Sequence, residues 1–278
     1  MPSSLKGDRI SVPTSTSNPS SPSVGDQYFN TSTNSLSIYD GTSWAQVVFS
    51  SLGSVGNPAS SAAAILAADS TATSGFYYIE TAGVSTNVYC DMTNDNGGWM
   101  LAAHANGTDN NKWTYNDSSW TNSTTFNEPD DPTSTSNHIK TKIYTTRPFT
   151  SVRICMGSIS NGIVESNWSN STSFANFMGS SSNSSNSPST WKSWVNTAFG
   201  SSFSWLANCN QYGTSKAYDY QYVKLGGTVN GENDCNTNDE SFGWGSLGIS
   251  PYSNNYSCGA YSPYGGPNGL RDGWIFVK

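Results

Sequence analysis

Apolar residues fall in short blocks between long polar stretches, and the spacing inside each block separates strand from helix. Phe76-Tyr77-Tyr78-Ile79, Val88-Tyr89-Cys90-Asp91-Met92, Trp99-Met100-Leu101-Ala102-Ala103-His104 and Trp274-Ile275-Phe276-Val277 are short runs rich in aromatic and aliphatic side chains, flanked largely by Gly, Asn and Thr. Runs of that length and composition predict strands. They are placed near 76–80, 86–92, 99–104, 151–156, 220–225 and 273–277. Helical spacing is confined to two stretches. Trp191, Trp194, Val195 and Phe199 share one helical face between a capping Ser187, Pro188 at the first position and a terminating Gly200, which predicts a helix over 188–199. A shorter helix is expected over 59–68, with Asn57 as cap and Pro58 opening it. The expected fold class of the large C-terminal region is α+β: mixed β-sheet, few short helices and long irregular loops.

The pattern divides the chain. Residues 1–24 are rich in Ser, Pro and Thr, a composition that cannot bury enough apolar surface to order itself. They are expected to form a disordered arm, or one ordered against a partner. Within 25–50, Gly25-Asp26-Gln27-Tyr28-Phe29-Asn30, Ser35-Leu36-Ser37-Ile38-Tyr39 and Ser43-Trp44-Ala45-Gln46-Val47 alternate and are broken at Asn34 and at Asp40-Gly41-Thr42, which predicts a β-hairpin or meander. A meander this small is expected to be stabilised by packing on other chains, most simply as a homotrimer. Residues 51–56 read as a linker, and 57–278 as one recognition domain.

Composition narrows the function. The chain has 278 residues, of which 11% are charged, and a formal net charge of −7. The twelve Lys and Arg make no basic footprint, so nucleic acid is not an expected partner. No apolar run reaches the roughly 20 residues of a membrane span, and no signal-peptide core is legible at 1–25. Membrane insertion is therefore not expected. Ten Trp and fifteen Tyr supply the amphipathic rings that recognition surfaces use.

Candidate chemistry concentrates late in the chain. Asp234, Asn236, Asn238, Asp239 and Glu240 supply the alternating carboxylate and amide oxygens that calcium takes, though without the glycine and distal glutamate of an EF-hand. An acidic loop of Asx-turns is the other reading of the same residues. His104, Asn106 and Asp109 form a second candidate metal cluster. Trp244, Tyr252, Tyr256, Tyr261 and Tyr264 lie among Gly, Ser, Asn and Pro with no period. That suits rings presented to a sugar, or rings pinning an irregular loop. A Cys235–Cys258 disulfide would staple the acidic loop, whereas synthesis in the cytosol opposes it. Enzyme signatures are lacking: Gly243-Trp244-Gly245-Ser246-Leu247-Gly248 matches a nucleotide fingerprint, but Pro251 and Asn254-Asn255 follow where a helix is required. No catalytic activity is expected.

Two resemblances give these features a setting. Residues 21–48 resemble a short module of bacteriophage tail-fibre and other virion proteins, carried by Gly25-Asp26, Tyr28-Phe29-Asn30-Thr31 and Tyr39-Asp40-Gly41-Thr42 with Trp44. Residues 57–101 resemble the opening of a fibrinogen C-terminal-like domain, through Ile65-Leu66, Gly75 to Ile79, Val88 to Met92 and Gly97-Gly98-Trp99-Met100-Leu101. The intelectin branch, calcium-dependent lectins, is similar through Trp99 to His104 with Asp109 and Trp113, and through Cys235-Asn236-Thr237 with Cys258-Gly259. Departures are visible: Ser60 and Ser61 stand near the family's first cysteine, Asp239 where a ligand histidine is expected, and Ala260 where an acidic residue is expected. The resemblance implies a calcium-dependent glycan receptor domain. Combined with the attachment module, it implies an adhesin on a virion surface, made in the host cytoplasm without a signal peptide. Residues 1–50 would then contact other virion proteins, and the domain a host-surface glycan. The alternative is a structural decoration or connector protein that uses the domain for protein contacts alone.

Overall fold

The computed structural model describes residues 4–6, 9–47, 50–128, 130–218, 220–233, 237–249 and 254–278. The chain forms two compact units, Met1–Ser51 and Leu52–Lys278. In the first, β1 (Ser4–Lys6) pairs with β2 (Arg9–Ser11). A second sheet orders β3 (Thr14–Ser15), β4 (Gln27–Asn30), β5 (Ser35–Tyr39) and β6 (Trp44–Gln46) side by side. The predicted breaks fall where expected. Asn34 takes a left-handed φ of 53° between β4 and β5, and Asp40 accepts the N–H groups of Thr42 and Ser43, each at 2.8 Å. Those bonds, Ser43's first, pull the exposed Asp40 carboxyl down to about 2.

The supposed arm does not stand apart from this sheet. Thr14 and Ser15 add a parallel strand beside Phe29 and Asn30. The buried Tyr28 donates its hydroxyl to Asn18 Oδ1 at 2.6 Å, and Trp44 donates its ring N–H to the Pro19 carbonyl at 3.3 Å. Over residues 14–20 the module itself supplies the partner, because its two aromatic side chains have polar edges that need acceptors.

The larger unit is mostly β-sheet with few short helices. It opens with α1 (Ala62–Ala68), capped by Ser61 Oγ on the Ala64 N–H. The helix thus begins later than Asn57 and Pro58 predicted, because Ala59 is held as extended backbone in a bridge with Ile79. Leu52, in the predicted linker, packs against the domain core. Strands β7 (Gly75–Thr81), β8 (Val84–Asp91) and β9 (Trp99–Ala105) follow at the predicted places. Then come β10 (Ile139–Lys140), α2 (Lys142–Thr146), β11 (Val152–Met156), β12 (Ser158–Glu165), α3 (Phe174–Phe177) and α4 (Pro188–Phe199). Helix α4 matches its prediction, with Ser187 accepting from Thr190 N–H and Gly200 left-handed at φ 67°. Five further strands complete the chain: β13 (Asn208–Tyr218), β14 (Gln221–Asn230), β15 (Glu240–Gly248), β16 (Asn255–Tyr261) and β17 (Gly269–Leu270), before the closing β18 (Gly273–Val277).

Seven strands make the main sheet, in the order β12-β11-β18-β9-β8-β7 with β10 also on β9. The closing strand is thus central, between β11 and β9. Arg153 on β11 is fully buried and reaches Asp91 Oδ2 at 3.1 Å, Asp95 and the Ile159 carbonyl. It ties β11 to the turn after β8.

Strands β13 to β17 form a second sheet in sequential order, much of which the apolar pattern did not announce. Its register aligns Gly213, Gly226, Gly243 and Gly259 in one row across four strands. A Cβ on Gly226 would stand 2.0 Å from the Phe242 carbonyl oxygen, and one on Gly243 2.3 Å from that of Leu225. Only glycine permits this approach. Two positions along each strand from that row the pairing skips Ser215, Lys224, Gly245 and Ser257, and Ser215 and Gly245 adopt φ of 51° and 64°. These aligned gaps in the pairing, with the register kept on either side, mark a crease across the sheet. Leu225, Phe242, Trp244, Cys258 and Ala260 join the main core, while Ser241 and Ser246, on opposite sides of the crease, bring their hydroxyls to 2.7 Å. Among the described residues, no helix is long and apolar enough to cross a membrane.

Candidate recognition site

Asn238, Asp239 and Glu240 lead into β15, where Ser241 pairs with Tyr261 of β16. The turn after β16 folds back on the same place. Ser262 donates its hydroxyl to Glu240 Oε1, accepts the Gly266 N–H at 3.2 Å, and exchanges two bonds with the Asn268 amide. Strand pairing therefore brings the predicted Asn238, Asp239 and Glu240 to the same end of the sheet as the predicted Tyr261 and Tyr264. Tyr264 is 61% exposed.

The three acidic-loop residues differ in what they have left to offer. Glu240 is buried, and its second oxygen accepts the Leu206 N–H at 2.9 Å. Burial raises its pKa against those hydrogen bonds and the Lys192 charge. It is a structural carboxylate that fastens 206 and 262 to β15. Asp239 is 8% exposed and accepts the Gly231 N–H at 3.2 Å. Asn238 donates its amide to Thr228 Oγ1 at 2.9 Å and leaves its Oδ1 buried without a hydrogen bond. The Asp239 carboxylate and Asn238 Oδ1 are hard oxygen donors of the kind calcium takes. Among the described residues no group of three or more His, Cys, Asp and Glu is placed to hold an ion. Asp234, Cys235, Asn236 and Tyr252 lie outside the described residues.

The second predicted cluster does converge, and with residues the sequence did not nominate. Pairing of β9 with β10 and β18 sets His104 opposite Ile139 and Trp274, which delivers the adjoining His138 and Asp272. His138 Nδ1 accepts the Asn106 N–H at 3.1 Å, so its Nε2–H donates to Asp109 Oδ1 at 2.6 Å. Burial lowers the His138 pKa and outweighs the nearby Asp109 charge, in keeping with a ring nitrogen that must stay unprotonated to accept. Asn106 also donates to Asp109 Oδ2 at 3.0 Å. His104 donates Nδ1–H to the Asn137 carbonyl at 2.9 Å and sets Nε2 3.7 Å from Asp272 Oδ1. Asp272 takes the Gly107 N–H at 2.9 Å, and its carboxyl is held below the usual range by His104 first. These groups satisfy one another and fasten the 104–113 segment to the ends of two central strands. Adjacency to the predicted strand 273–277 was the one signal for Asp272.

Two predictions are corrected here. Trp244 is not a presented ring: it is fully buried, 5.9 Å from Trp113 and 6.3 Å from Trp120, because the crease turns its face of β15 into the core. Cys258 is a buried free thiol, opposite Trp244 in register and within 2.7 Å of where a Gly273 Cβ would stand. Its side chain points into the core, so the expected staple to Cys235 is not made. Tyr256 is half-buried and pairs with Ser246, at the opposite end of β16 from Tyr261. No protein-family model matches the chain, and the search of curated proteins finds no match either.

Proposed function

We propose that this chain is a virion adhesin, whose first unit attaches to other virion proteins as a homotrimer and whose second recognises host-surface glycans with calcium. One observation carries the reading: Asn238 and Asp239, with a carboxylate and an unsatisfied amide oxygen, share a sheet end with Tyr261 and the exposed Tyr264. Cation oxygens beside rings suit a sugar, whose hydroxyls and C–H faces need both. The fibrinogen-like reading draws support from three of its four segments, which lie on the consecutive strands β7, β8 and β9. Weak individual sites gain avidity by repetition on a symmetric particle.

The test is adsorption and glycan-array binding by the full chain, with and without chelator. Binding that falls in EDTA, returns with calcium and stays at the EDTA level in Asp239→Asn is the expected result. Chelator-insensitive binding at this site, or none at millimolar calcium, overturns the metal role. The connector reading is favoured by one fact, the full engagement of Glu240 within the protein. It expects Asp239→Asn particles that assemble and adsorb normally.

A further inference from the structure

Behind the crease of the second sheet lies a set of polar side chains that the calcium reading does not use. Gln221, Ser241 and Ser246 are 0% exposed and Asn254 is 3% exposed. They form one directed chain. Asn254 Nδ2 donates to Ser246 Oγ at 2.8 Å, the serine hydroxyls lie 2.7 Å apart, and Ser241 Oγ donates to Gln221 Oε1 at 2.8 Å. With Ser246 donating to Ser241, each of these links is made once. Two ends remain: Gln221 Nε2, a donor, and Asn254 Oδ1, an acceptor, both buried and without partners. Val223 beside them is buried yet outside the main hydrophobic core, so this interior is a separate, polar one. Buried polar groups are nearly always satisfied, and leaving two orphaned on one network is costly.

The two ends define what would satisfy them. A cation is refused by the Gln221 N–H, which cannot ligate it, and an anion by the Asn254 oxygen, which cannot donate. Hydroxyl groups, which accept as well as donate, match the donor at one end and the acceptor at the other. We propose that Gln221, Ser241, Ser246 and Asn254 form a hydroxyl-binding subsite for a neutral polyhydroxy ligand of the sugar class, independent of metal. The site lies at the margin of the sheet: Ile249 donates its N–H to the Tyr220 carbonyl at 3.0 Å, and Ile249 and Tyr220 are exposed.

The test is saturation-transfer NMR on the full chain in EDTA, with methyl α-glucoside, methyl α-galactoside and glycerol as probes. EDTA separates this site from the calcium-dependent one, so either can fail alone. Wild type is expected to bind at least one probe. Gln221→Met and Asn254→Leu, which remove one end each at similar volume, are expected to weaken it by roughly tenfold or more. Each variant also breaks one link, with Ser241 or Ser246, so its melting temperature without probe should lie at or below that of wild type, and a cooperative melt establishes that it is folded. Absence of signal from wild type overturns the proposal whatever the variants do. Equal binding by wild type and either folded variant also overturns it.

Discussion

Replacing Gly243 with Ala tests whether the glycine row creases the second sheet. The new Cβ would lie 2.3 Å from the Leu225 carbonyl oxygen and 2.7 Å from Gly226 Cα, at a φ of +123°. Both obstacles are backbone, so no side chain can rotate away. An L-residue held in such a conformation costs roughly 1–3 kcal/mol, and forcing the strands apart adds roughly 1–3 kcal/mol, giving a loss of about 2–6 kcal/mol. Gly265→Ala is the control, because φ there is +85° and nothing stands within 4 Å of the added carbon. It should lose only the conformational term, roughly 1–2 kcal/mol. Urea unfolding followed by near-ultraviolet circular dichroism reads the larger unit, which holds every Trp except Trp44. Gly226 and Gly243 face one another, so the double Ala variant should be non-additive. Equal losses at Gly243 and Gly265, or a loss at Gly243 within about 0.5 kcal/mol of zero, would refute the crease.

Other expectations follow from buried charge and thiols. Arg153→Met leaves Asp91 buried without its cation and should destabilise by about 3–5 kcal/mol, measured by thermal melting at neutral pH. Burial opposes ionisation of Asp91, yet hydrogen bonds from Asn94 and Thr93 and the Arg153 charge hold its carboxyl below the usual range. Its contribution is present above about pH 4 and is lost as pH falls through the lower folded value; an acid titration of melting temperature should show this in wild type and weakly in the Arg153 variant. For His138 the folded pKa is also depressed, chiefly by burial, so stability should be complete above about pH 6.5 and decline below it. His138→Gln should flatten that slope between about pH 5 and 7, and an unchanged slope would remove His138 as its source. Cys90, Cys155 and Cys258 are buried free thiols, their pKa values raised by burial. They should resist alkylation until unfolding, when mass spectrometry should find Cys258 alkylated; recovery of a peptide linked to Cys235 would contradict the structure.

The sequence by itself determined the elements whose stability is local. Helix α4 carried its cap, its first-turn proline, its apolar face and its stop within fourteen consecutive residues. Strands β9 and β18 are apolar runs buried on both faces, β7 and β8 are aromatic-rich runs toward the sheet edge, and the Asp40 turn is fixed by bonds spanning three residues. Tertiary structure decided the rest. Strands β15 and β16 carry Gly and Ser where periodicity would look for aliphatic residues, because at the crease backbone touches backbone and the side chains must be small or absent. That same fold turned Trp244 and Cys258 inward, and no local pattern could distinguish a ring buried against Trp113 from one offered to a ligand. The candidate sites divide likewise. Asn238, Asp239 and Glu240 were legible as oxygen donors, but only the return of 262–268 commits Glu240 to the protein interior. His138 and Asp272 reach His104 through strand pairing across 34 and 168 positions. Gln221 and Asn254, 33 positions apart, become one polar network only when the sheet folds over. Sequence records which groups a chain carries; which of them remain unsatisfied depends on contacts between distant strands, and those are made by the fold.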